Sequence, residues 1–329
     1  MIYLGEQKDA LEAYSKEAIC WLGIKIKGRK TRSKPSGYRC EDSKCVLCNS
    51  KAVIRRSVNQ DYRDLFDTNL IRELIVSKPE WLNEINNQLK QRYNDLGYTE
   101  EEFNIEGEKI FVDSGYTDWL LPNKFNYKLA KLLNKHTCTY CNREYIFVYK
   151  KDKGKGLVPQ FDHWFPKTHY PLLALSFYNL IPSCATCNAI KSSVEFNTDD
   201  HLHPYVDKDI SNSYKFDYIF REAHVPEIFL RNNTLSGNKG KATFDALNLP
   251  FIYQGHSSKE LKDLYDLRFK YSDNYLKSLL ENTFDNHLSL SDNEKYRLIF
   301  GIELDAKDYH KRIMSKFKSD IIEKLLSID

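Results

Sequence analysis

The sequence predicts an α+β protein, a mainly helical chain that carries a small zinc-stapled core of two strands and one helix in its middle. Apolar residues recur every three to four positions through much of residues 1–135 and again after residue 259, which is typical of amphipathic helices. Between these parts lie two Cys-x-x-Cys pairs and a stretch rich in Tyr, Ile, Phe and Val, which indicates strands beside a metal site.

Length and composition are those of a globular protein. The 329 residues suffice to bury a sizeable core, and 29% charged with 41% hydrophobic residues is ordinary usage. No apolar run approaches the ~20 residues that span a bilayer, and the first residues lack the features of a signal peptide, so we expect a cytoplasmic protein with no membrane partner. The net charge of +3 does not by itself indicate a polyanionic partner.

The N-terminal region, residues 1–135, is predicted to be mostly helical. Helices are predicted over 10–22, 62–76, 79–95 and 124–133 from the spacing of their apolar residues. Pro79 suits the first turn of its helix, because a proline there loses no hydrogen bond.

A basic segment, residues 25–56, interrupts these helices. It contains eleven Lys or Arg against only Glu41 and Asp42, and Gly28, Pro35 and Gly37 predict a loop. A charge run alone indicates a solvated segment as readily as a binding surface. Beside a site that acts on nucleic acid, contact with phosphate groups becomes the preferred interpretation.

The middle region, residues 136–207, is predicted to hold a metal site. Cys138 and Cys141 form one Cys-x-x-Cys pair, and Cys184 and Cys187 form the other. Four thiolates complete a tetrahedral zinc shell with no position open for water, so this zinc is predicted to be structural. Strands are predicted over 144–150 and 157–161, joined by a turn at 153–156, and a helix is predicted to begin near residue 188.

Four polar residues enclosed by this frame predict hydrolytic chemistry. Taken singly, an Asp-His pair such as Asp162-His163 is ordinary on a surface, and Asn179 or Asn188 could simply cap or turn the chain. Together they supply what phosphodiester hydrolysis needs. His163 can accept a proton from water, and Asp162 and Asn188 offer oxygen ligands for Mg²⁺ or Mn²⁺. Asn179 could bond to backbone and hold His163 in position.

The C-terminal region, residues 208–329, is predicted to be mainly helical. Aromatic-rich segments come first, and helices are predicted over 259–280 and 292–326. Their amphipathic spacing indicates core packing. No catalytic residue is assigned here.

The middle region resembles the HNH endonucleases of the His-Me finger class, in the form whose treble-clef-like ββα-metal core is supported by four cysteines. The matching strings are Cys-Thr-Tyr-Cys (138–141), Phe-Asp-His-Trp-Phe-Pro-Lys (161–167) and Tyr-Asn-Leu-Ile-Pro-Ser-Cys-Ala-Thr-Cys-Asn-Ala-Ile-Lys (178–191). The resemblance implies hydrolysis of DNA, double-stranded by default, with His163 as general base and Asp162 and Asn188 as ligands of a catalytic Mg²⁺ or Mn²⁺. It also implies that Asn179 orients the histidine loop.

The block Asp-His-x-x-Pro-Lys with Tyr170-Pro171 and the segment 179–182 is also similar to PtuB-type HNH effectors of bacterial anti-phage systems, which act beside an ATPase partner. This likeness implies an anti-phage or restriction-type effector. Together the two resemblances rest on about 70 of the 329 residues and leave the flanking regions unassigned. The alternative from another class is a non-catalytic zinc-ribbon protein that binds nucleic acid or acts as a scaffold.

Two smaller predictions concern residues near this core. Lys167 and Lys191 flank the site and are either phosphate contacts or exposed lysines. Cys45 and Cys48 form a third Cys-x-x-Cys pair, which predicts a second zinc site that Cys40 or the distant Cys20 could complete. The fourth ligand stays open, because Cys20 lies in an apolar helical stretch where a buried thiol is ordinary.

Overall fold

The computed structural model describes residues 1–49, 57–121, 125–149, 156–220, 226–232, 238–270, 275, 278–279, 281–283 and 290–327. The α-helices are α1 Lys8–Lys27, α2 Val46–Asn49, α3 Gln60–Asp64, α4 Thr68–Val76, α5 Pro79–Asn94, α6 Glu100–Gly107, α7 Phe125–Leu133, α8 Ala185–Lys191, α9 Ile210–Ser213, α10 Lys239–Ala246, α11 Leu249–Gln254, α12 Lys262–Lys270, α13 Asp292–Phe300 and α14 Ser315–Leu326. A π-helical segment, Glu108–Leu120, continues α6. None of the described helices is long and apolar enough to cross a membrane.

The described strands form two antiparallel pairs. Strand β1, Gln160–His163, pairs with β2, Leu180–Ser183, with Asp162 opposite Ile181. Strand β3, Tyr214–Phe220, pairs with β4, Pro226–Asn232. The chain is therefore a helix-rich α+β protein with small sheets, as the sequence predicts.

The predicted pairing of residues 144–150 with 157–161 is wrong in its main part. Residues 160–163 pair with β2 instead, and the predicted hairpin is reduced to one bridge between Tyr149 and Leu157. The reason lies in the first cysteine pair, where the N–H of Cys138 donates to the carbonyl of Glu144 over 2.9 Å and ties this segment to residues 136–138. Of the predicted turn, residues 153–155 lie outside the described part of the chain.

Several predicted helices are shorter or differently placed. The helix predicted over 62–76 is two helices, α3 and α4, and Asp67 caps the second by accepting from the N–H of Leu70. The helix expected to begin near residue 188 begins at Ala185 and ends at Lys191. The one predicted over 292–326 breaks after α13, where Gly301 has a φ of 68°. Part of the stretch predicted over 259–280 lies outside the described residues.

The C-terminal region packs directly against the first cysteine pair. The side-chain amide of Asn142 donates to the carbonyls of Tyr309 and Arg312, over 2.9 and 3.1 Å. The hydroxyl of Tyr253 donates to the carbonyl of Cys141. Buried apolar residues from α1, the middle region and α14 belong to one cluster, which crosses the predicted region boundaries at residues 135 and 207. Those boundaries remain predictions.

Candidate active site on a cysteine-clamped strand pair and helix

The four cysteines of the middle region form a buried cluster. The sulfur atoms of Cys138, Cys141, Cys184 and Cys187 all lie within 4.8 Å of one another, and no disulfide joins them. A tetrahedral zinc with Zn–S bonds of ~2.3 Å places its sulfurs about 3.8 Å apart. The 4.0 Å between Cys141 and Cys184 suits that shell. Hydrogen bonding within the cluster lowers the pKa values of Cys141 and Cys184 and raises that of Cys187, and burial raises that of Cys138. Zinc binding would require all four thiols to lose their protons.

The cluster fixes the start of α8 against the strand pair. Cys184 follows β2 directly and caps α8, because its sulfur accepts from the N–H of Cys187 over 3.4 Å. In the other pair, the sulfur of Cys141 accepts from the N–H of Arg143 over 3.4 Å. A metal held here would lock the order strand, strand, helix into one rigid unit.

Asp162 lies in the middle of this unit on β1. Its carboxylate is only 3% exposed, and its Oδ2 accepts from the Tyr140 hydroxyl over 2.6 Å. The ammonium of Lys191 approaches the same oxygen at 3.8 Å. Burial raises the pKa of Asp162 to about 6, against the opposing charge of Lys191. Neither of these two contacts uses Oδ1, and a backbone hydrogen bond from His163 to the carboxylate also lowers its pKa.

Lys191 is buried at the base of the site. Its ammonium donates to the carbonyl of His163 over 2.8 Å and lies 4.8 Å from the ring centre of Phe196. Burial lowers the pKa of Lys191, while the charge of Asp162 opposes the shift. The side chain has 0% exposure, so it is not the exposed lysine that the sequence left open. Reaching a phosphate would require it to leave these partners.

His163 is held at the end of β1 by a backbone carbonyl and an aromatic ring. Its Nε2 lies 3.1 Å from the carbonyl oxygen of Ala174, which can only accept, so the proton sits on Nε2 and Nδ1 carries the lone pair. The Tyr116 ring meets the imidazole edge-on at 4.6 Å between centroids. Burial, together with the nearby charge of Lys167, lowers the pKa of His163 to about 3. The imidazole is therefore neutral near pH 7.

Asn179 closes the loop between β1 and β2. Its Oδ1 accepts from the N–H of Phe165 over 2.6 Å, and its Nδ2 donates to the carbonyls of Phe165 and Leu173 over 3.1 and 2.9 Å. The residue is fully buried. These three bonds bring the two ends of the loop together and place Ala174, next to Leu173, where its carbonyl meets His163.

Asn188 lies on the face of α8 that looks toward β1. Its Nδ2 donates to Oε1 of Gln160 over 2.7 Å. Gln160 and Asp162 are two residues apart on a strand and share one face of it. Lys191, one helical turn after Asn188, reaches the Asp162 carboxylate. Asn188 and Asp162 therefore belong to the same strand–helix interface, and both offer oxygen atoms that suit Mg²⁺ or Mn²⁺.

Two residues of this neighbourhood, Tyr140 and Tyr116, were not predicted from the sequence. Tyr140 lies inside the first Cys-x-x-Cys pair, and that position was the available signal. Tyr116 comes from the π-helical segment far along the chain and carried no signal. Beside it, the ammonium of Lys167 lies 4.8 Å from the ring centre of Tyr116, partly exposed at the edge of the site.

Cys20, which the sequence left open as a possible ligand, completes a second cysteine cluster with Cys40, Cys45 and Cys48. The four sulfurs lie within 4.8 Å of one another. Cys20 lies 3.3 Å from Cys48 and 3.5 Å from Cys45, and Cys40 lies 3.5 Å from Cys48. The donor set fits a second structural zinc. The structure thus gives the fourth position to Cys20 of α1.

Comparison with known proteins finds two relatives. The Septu protein PtuB of Bacillus thuringiensis is 27% identical over 140 residues, which are 42% of this chain and 46% of that protein. Protein ea31 of Escherichia phage lambda is 35% identical over 200 residues, which are 57% of this chain and 60% of that protein. Both similarities are distant. No family model and no solved structure matches the chain.

Proposed function

We propose that this chain is a metal-dependent endonuclease of the HNH type that hydrolyses phosphodiester bonds in duplex DNA. The carrying observation is that Asp162 and His163 on β1 share one strand–strand–helix unit with Asn188 on α8. The three hydrogen bonds of Asn179, which close the loop behind His163, support the same reading. The resemblance of residues 138–141, 161–167 and 178–191 to HNH nucleases also supports this proposal.

In this proposal His163 is the general base. The Ala174 carbonyl fixes the Nε2 proton and leaves Nδ1 to accept a proton from the attacking water. A pKa of about 3 makes a weak base near neutral pH. An anionic phosphate beside the ring favours the protonated imidazole and so raises this pKa during the reaction.

Asp162 and Asn188 are the residues that would hold the divalent cation. A bound Mg²⁺ or Mn²⁺ neutralises charge on the phosphate and on the leaving oxygen. The Tyr140 hydroxyl and the Lys191 ammonium hold the Asp162 carboxylate through Oδ2, which fixes the direction of Oδ1. The Lys191 bond to the His163 carbonyl ties both functional residues of β1 to α8.

We further propose an anti-phage or restriction-type role, with an ATPase as partner protein. The distant similarity to the Septu protein PtuB supports this, together with the resemblance of the Asp-His-x-x-Pro-Lys block to PtuB-type effectors. Co-purification of the chain with the products of neighbouring genes tests the partner. Recovery of the chain alone from its native host would contradict it.

The proposed reaction is tested by incubating end-labelled duplex DNA with the zinc-loaded protein and Mg²⁺ or Mn²⁺, and then analysing the new ends. We expect 5′-phosphate and 3′-hydroxyl ends, formed only when the divalent cation is added. The test variant is Asn188→Ala, which removes a proposed metal ligand from the surface of α8. Cleavage by that variant at the wild-type rate, or cleavage without added cation, contradicts the assignment. Tight binding without cleavage, with or without the copurified partner, supports the zinc-ribbon alternative.

A further inference from the structure

The second cysteine cluster organises a folded cationic projection at the end of α1. Residues 27–49, here called the cationic finger, start at the last residue of α1, and the chain turns at its C-cap Gly28, whose φ of 72° suits glycine. The chain then folds back, because the N–H of Lys30 donates to the carbonyl of Tyr38 over 3.0 Å and the N–H of Tyr38 donates to the carbonyl of Gly28 over 2.7 Å. The finger is therefore built on backbone pairing.

Two glycines allow this fold to close and to seat on α1. A Cβ added to Gly37 would lie 2.3 Å from the carbonyl oxygen of Arg29, and one added to Gly23 would lie 2.5 Å from the ring of Tyr38. Tyr38 thus packs on the helix one turn before its end. Cys20 of α1 then meets the three cysteines of the finger. The seat and the cysteine cluster together fix the finger to the core.

The finger carries a strong excess of positive charge. It contains seven Lys or Arg and two acidic residues. Five of its cations, Lys30, Arg32, Lys34, Arg39 and Lys44, are exposed to solvent. Lysines on the C-terminal helices differ, because Lys241 and Lys262 each face a carboxylate four residues later. A concentrated cationic surface on a rigid base is suited to a phosphate backbone.

Helix α1, on which the finger is seated, packs through an aromatic stack on the segment beside the candidate active site. Trp21, next to Cys20, stacks on Trp119 with 5.1 Å between centroids and 18° between planes. Trp119 belongs to the π-helical segment that also carries Tyr116 against His163. The helix that carries the finger is therefore packed against the segment whose Tyr116 contacts His163.

We propose that the cationic finger is a second DNA-binding element, which grips the phosphate backbone of duplex DNA beside the cleaved bond and independently of base sequence. The proposal rests on the proposed function for the identity of the nucleic acid. It adds a binding surface that uses none of the residues assigned to hydrolysis. Its metal cluster serves to fix the shape of the finger.

The test measures affinity for labelled duplex DNA as a function of salt, by fluorescence anisotropy in the His163→Ala background. The finger variant combines Lys30→Gln, Arg32→Gln, Lys34→Gln and Arg39→Gln. Each lost phosphate contact reduces the magnitude of the slope of log K against log salt by about 0.9. We therefore expect the finger variant to have a slope smaller in magnitude by roughly three to four. The affinity for two duplexes of unrelated sequence should fall equally.

The matched control removes the same charge elsewhere, at the exposed residues Lys241, Lys262, Lys270 and Lys307, again as Gln. We expect the slope of log K against log salt for this control to differ from that of the parent protein by less than about one. Equal slopes in the finger and control variants, or an unchanged slope in the finger variant, overturn the proposal. So does a loss of affinity confined to single-stranded RNA. Because binding is measured without cleavage, a failure of the nuclease assignment leaves this test intact.

The role of the cluster is tested in the same assay with Cys45→Ser, a half-buried position outside the apolar core. We expect the variant to bind one zinc fewer per chain and to lose as much salt slope as the finger variant. Loss of zinc with an unchanged slope would show that the cluster does not organise the binding surface.

Discussion

The hydroxyl of Tyr140 donates a hydrogen bond of 2.6 Å to the carboxylate of Asp162. Tyr140 lies between Cys138 and Cys141, and Asp162 lies on β1 next to His163. Both side chains are buried. The cysteine pair therefore sets the orientation of the carboxylate directly, so that the candidate zinc site and the candidate catalytic residues act as one unit.

Tyr140→Phe should separate this link from the metal frame. Loss of the hydroxyl leaves a buried carboxylate with one partner fewer, which we expect to lower the free energy of unfolding by roughly 1–3 kcal/mol. Zinc content should be unchanged, and half-maximal cleavage should require several-fold more Mg²⁺. The control is Tyr14→Phe, which removes a buried hydroxyl that donates to the carbonyl of Leu175 over 2.7 Å. A Mg²⁺ requirement that rises equally in both variants would assign Tyr140 a purely structural role.

Asn179 and Asn188 should respond differently to the same truncation. Asn179→Ala removes three buried hydrogen bonds, and we expect a loss of stability on the order of 3–5 kcal/mol together with loss of cleavage. Asn188→Ala removes a partly exposed side chain, so its stability should stay within about 1 kcal/mol of wild type while cleavage is lost. Urea unfolding and cleavage rates measure both. A stable and active Asn179→Ala protein would refute the loop-closing role.

The sequence predicted the local parts of this site better than the long-range ones. Cys-x-x-Cys spacing is local, so the first cluster was predicted in full. The role of Cys20 was left open because its partners meet it only after the chain reverses at Gly28, and its apolar neighbours gave an ordinary reason for burial. The strand pairing was mispredicted for the same reason. A β-rich run at 144–150 does not reveal that Glu144 and Ile146 bond to the backbone of residues 136–138 while β1 pairs with β2.

Metal content should distinguish the two cysteine clusters. We expect two zinc ions per chain in the wild type, and one in Cys184→Ser and in Cys45→Ser, by elemental analysis. The consequences for the fold should differ. Cys184 caps α8 inside the core, so its loss should abolish cleavage and lower thermal stability sharply. Cys45 lies in the cationic finger, so its substitution should lower thermal stability much less. Full zinc occupancy in either variant would contradict the corresponding site.

Stability should fall in acid through buried histidines. Burial lowers the pKa of His203 from 6.5 to about 3, while a backbone hydrogen bond to Tyr178 opposes the shift. The unfolded chain takes up this proton below pH 6.5 and the folded chain only below about pH 3, so stability is lost as pH falls through that window. His163, whose pKa is also lowered to about 3, contributes to the loss of stability in the same pH window. Asp162, whose pKa is raised to about 6, has the opposite sign, since its contribution is lost as pH rises from about 4 to 6.

His203→Asn should isolate one of these contributions. In the wild type, Nδ1 of His203 accepts from the N–H of Tyr205 over 3.2 Å. The amide oxygen of the introduced asparagine can accept the same hydrogen bond. Between pH 6.5 and 4 we expect the wild-type free energy of unfolding to change more steeply than that of the variant, by about 1.4 kcal/mol per pH unit. Acid release of zinc is common to both proteins and cancels in the difference. Parallel curves would show that His203 does not titrate on unfolding.

The environment of the catalytic candidates could not be derived from residue types alone. Lys191 follows a cysteine pair by four residues and was expected at the surface or on phosphate, yet α8 turns it inward onto the His163 carbonyl. Tyr116 reaches His163 from a segment separated by more than forty residues of sequence. Such contacts depend on how the helices pack, which apolar spacing does not specify.

The rate of plasmid nicking by His163→Ala relative to wild type tests the central claim most directly. The control is His169→Ala, whose side chain lies on the same loop but is 48% exposed. Loss of a general base should lower the rate by about 10²–10⁴-fold, while the control should nick at nearly the wild-type rate. Equal rates for the wild type and His163→Ala, with all three proteins folded and zinc-loaded, would contradict His163 as the base.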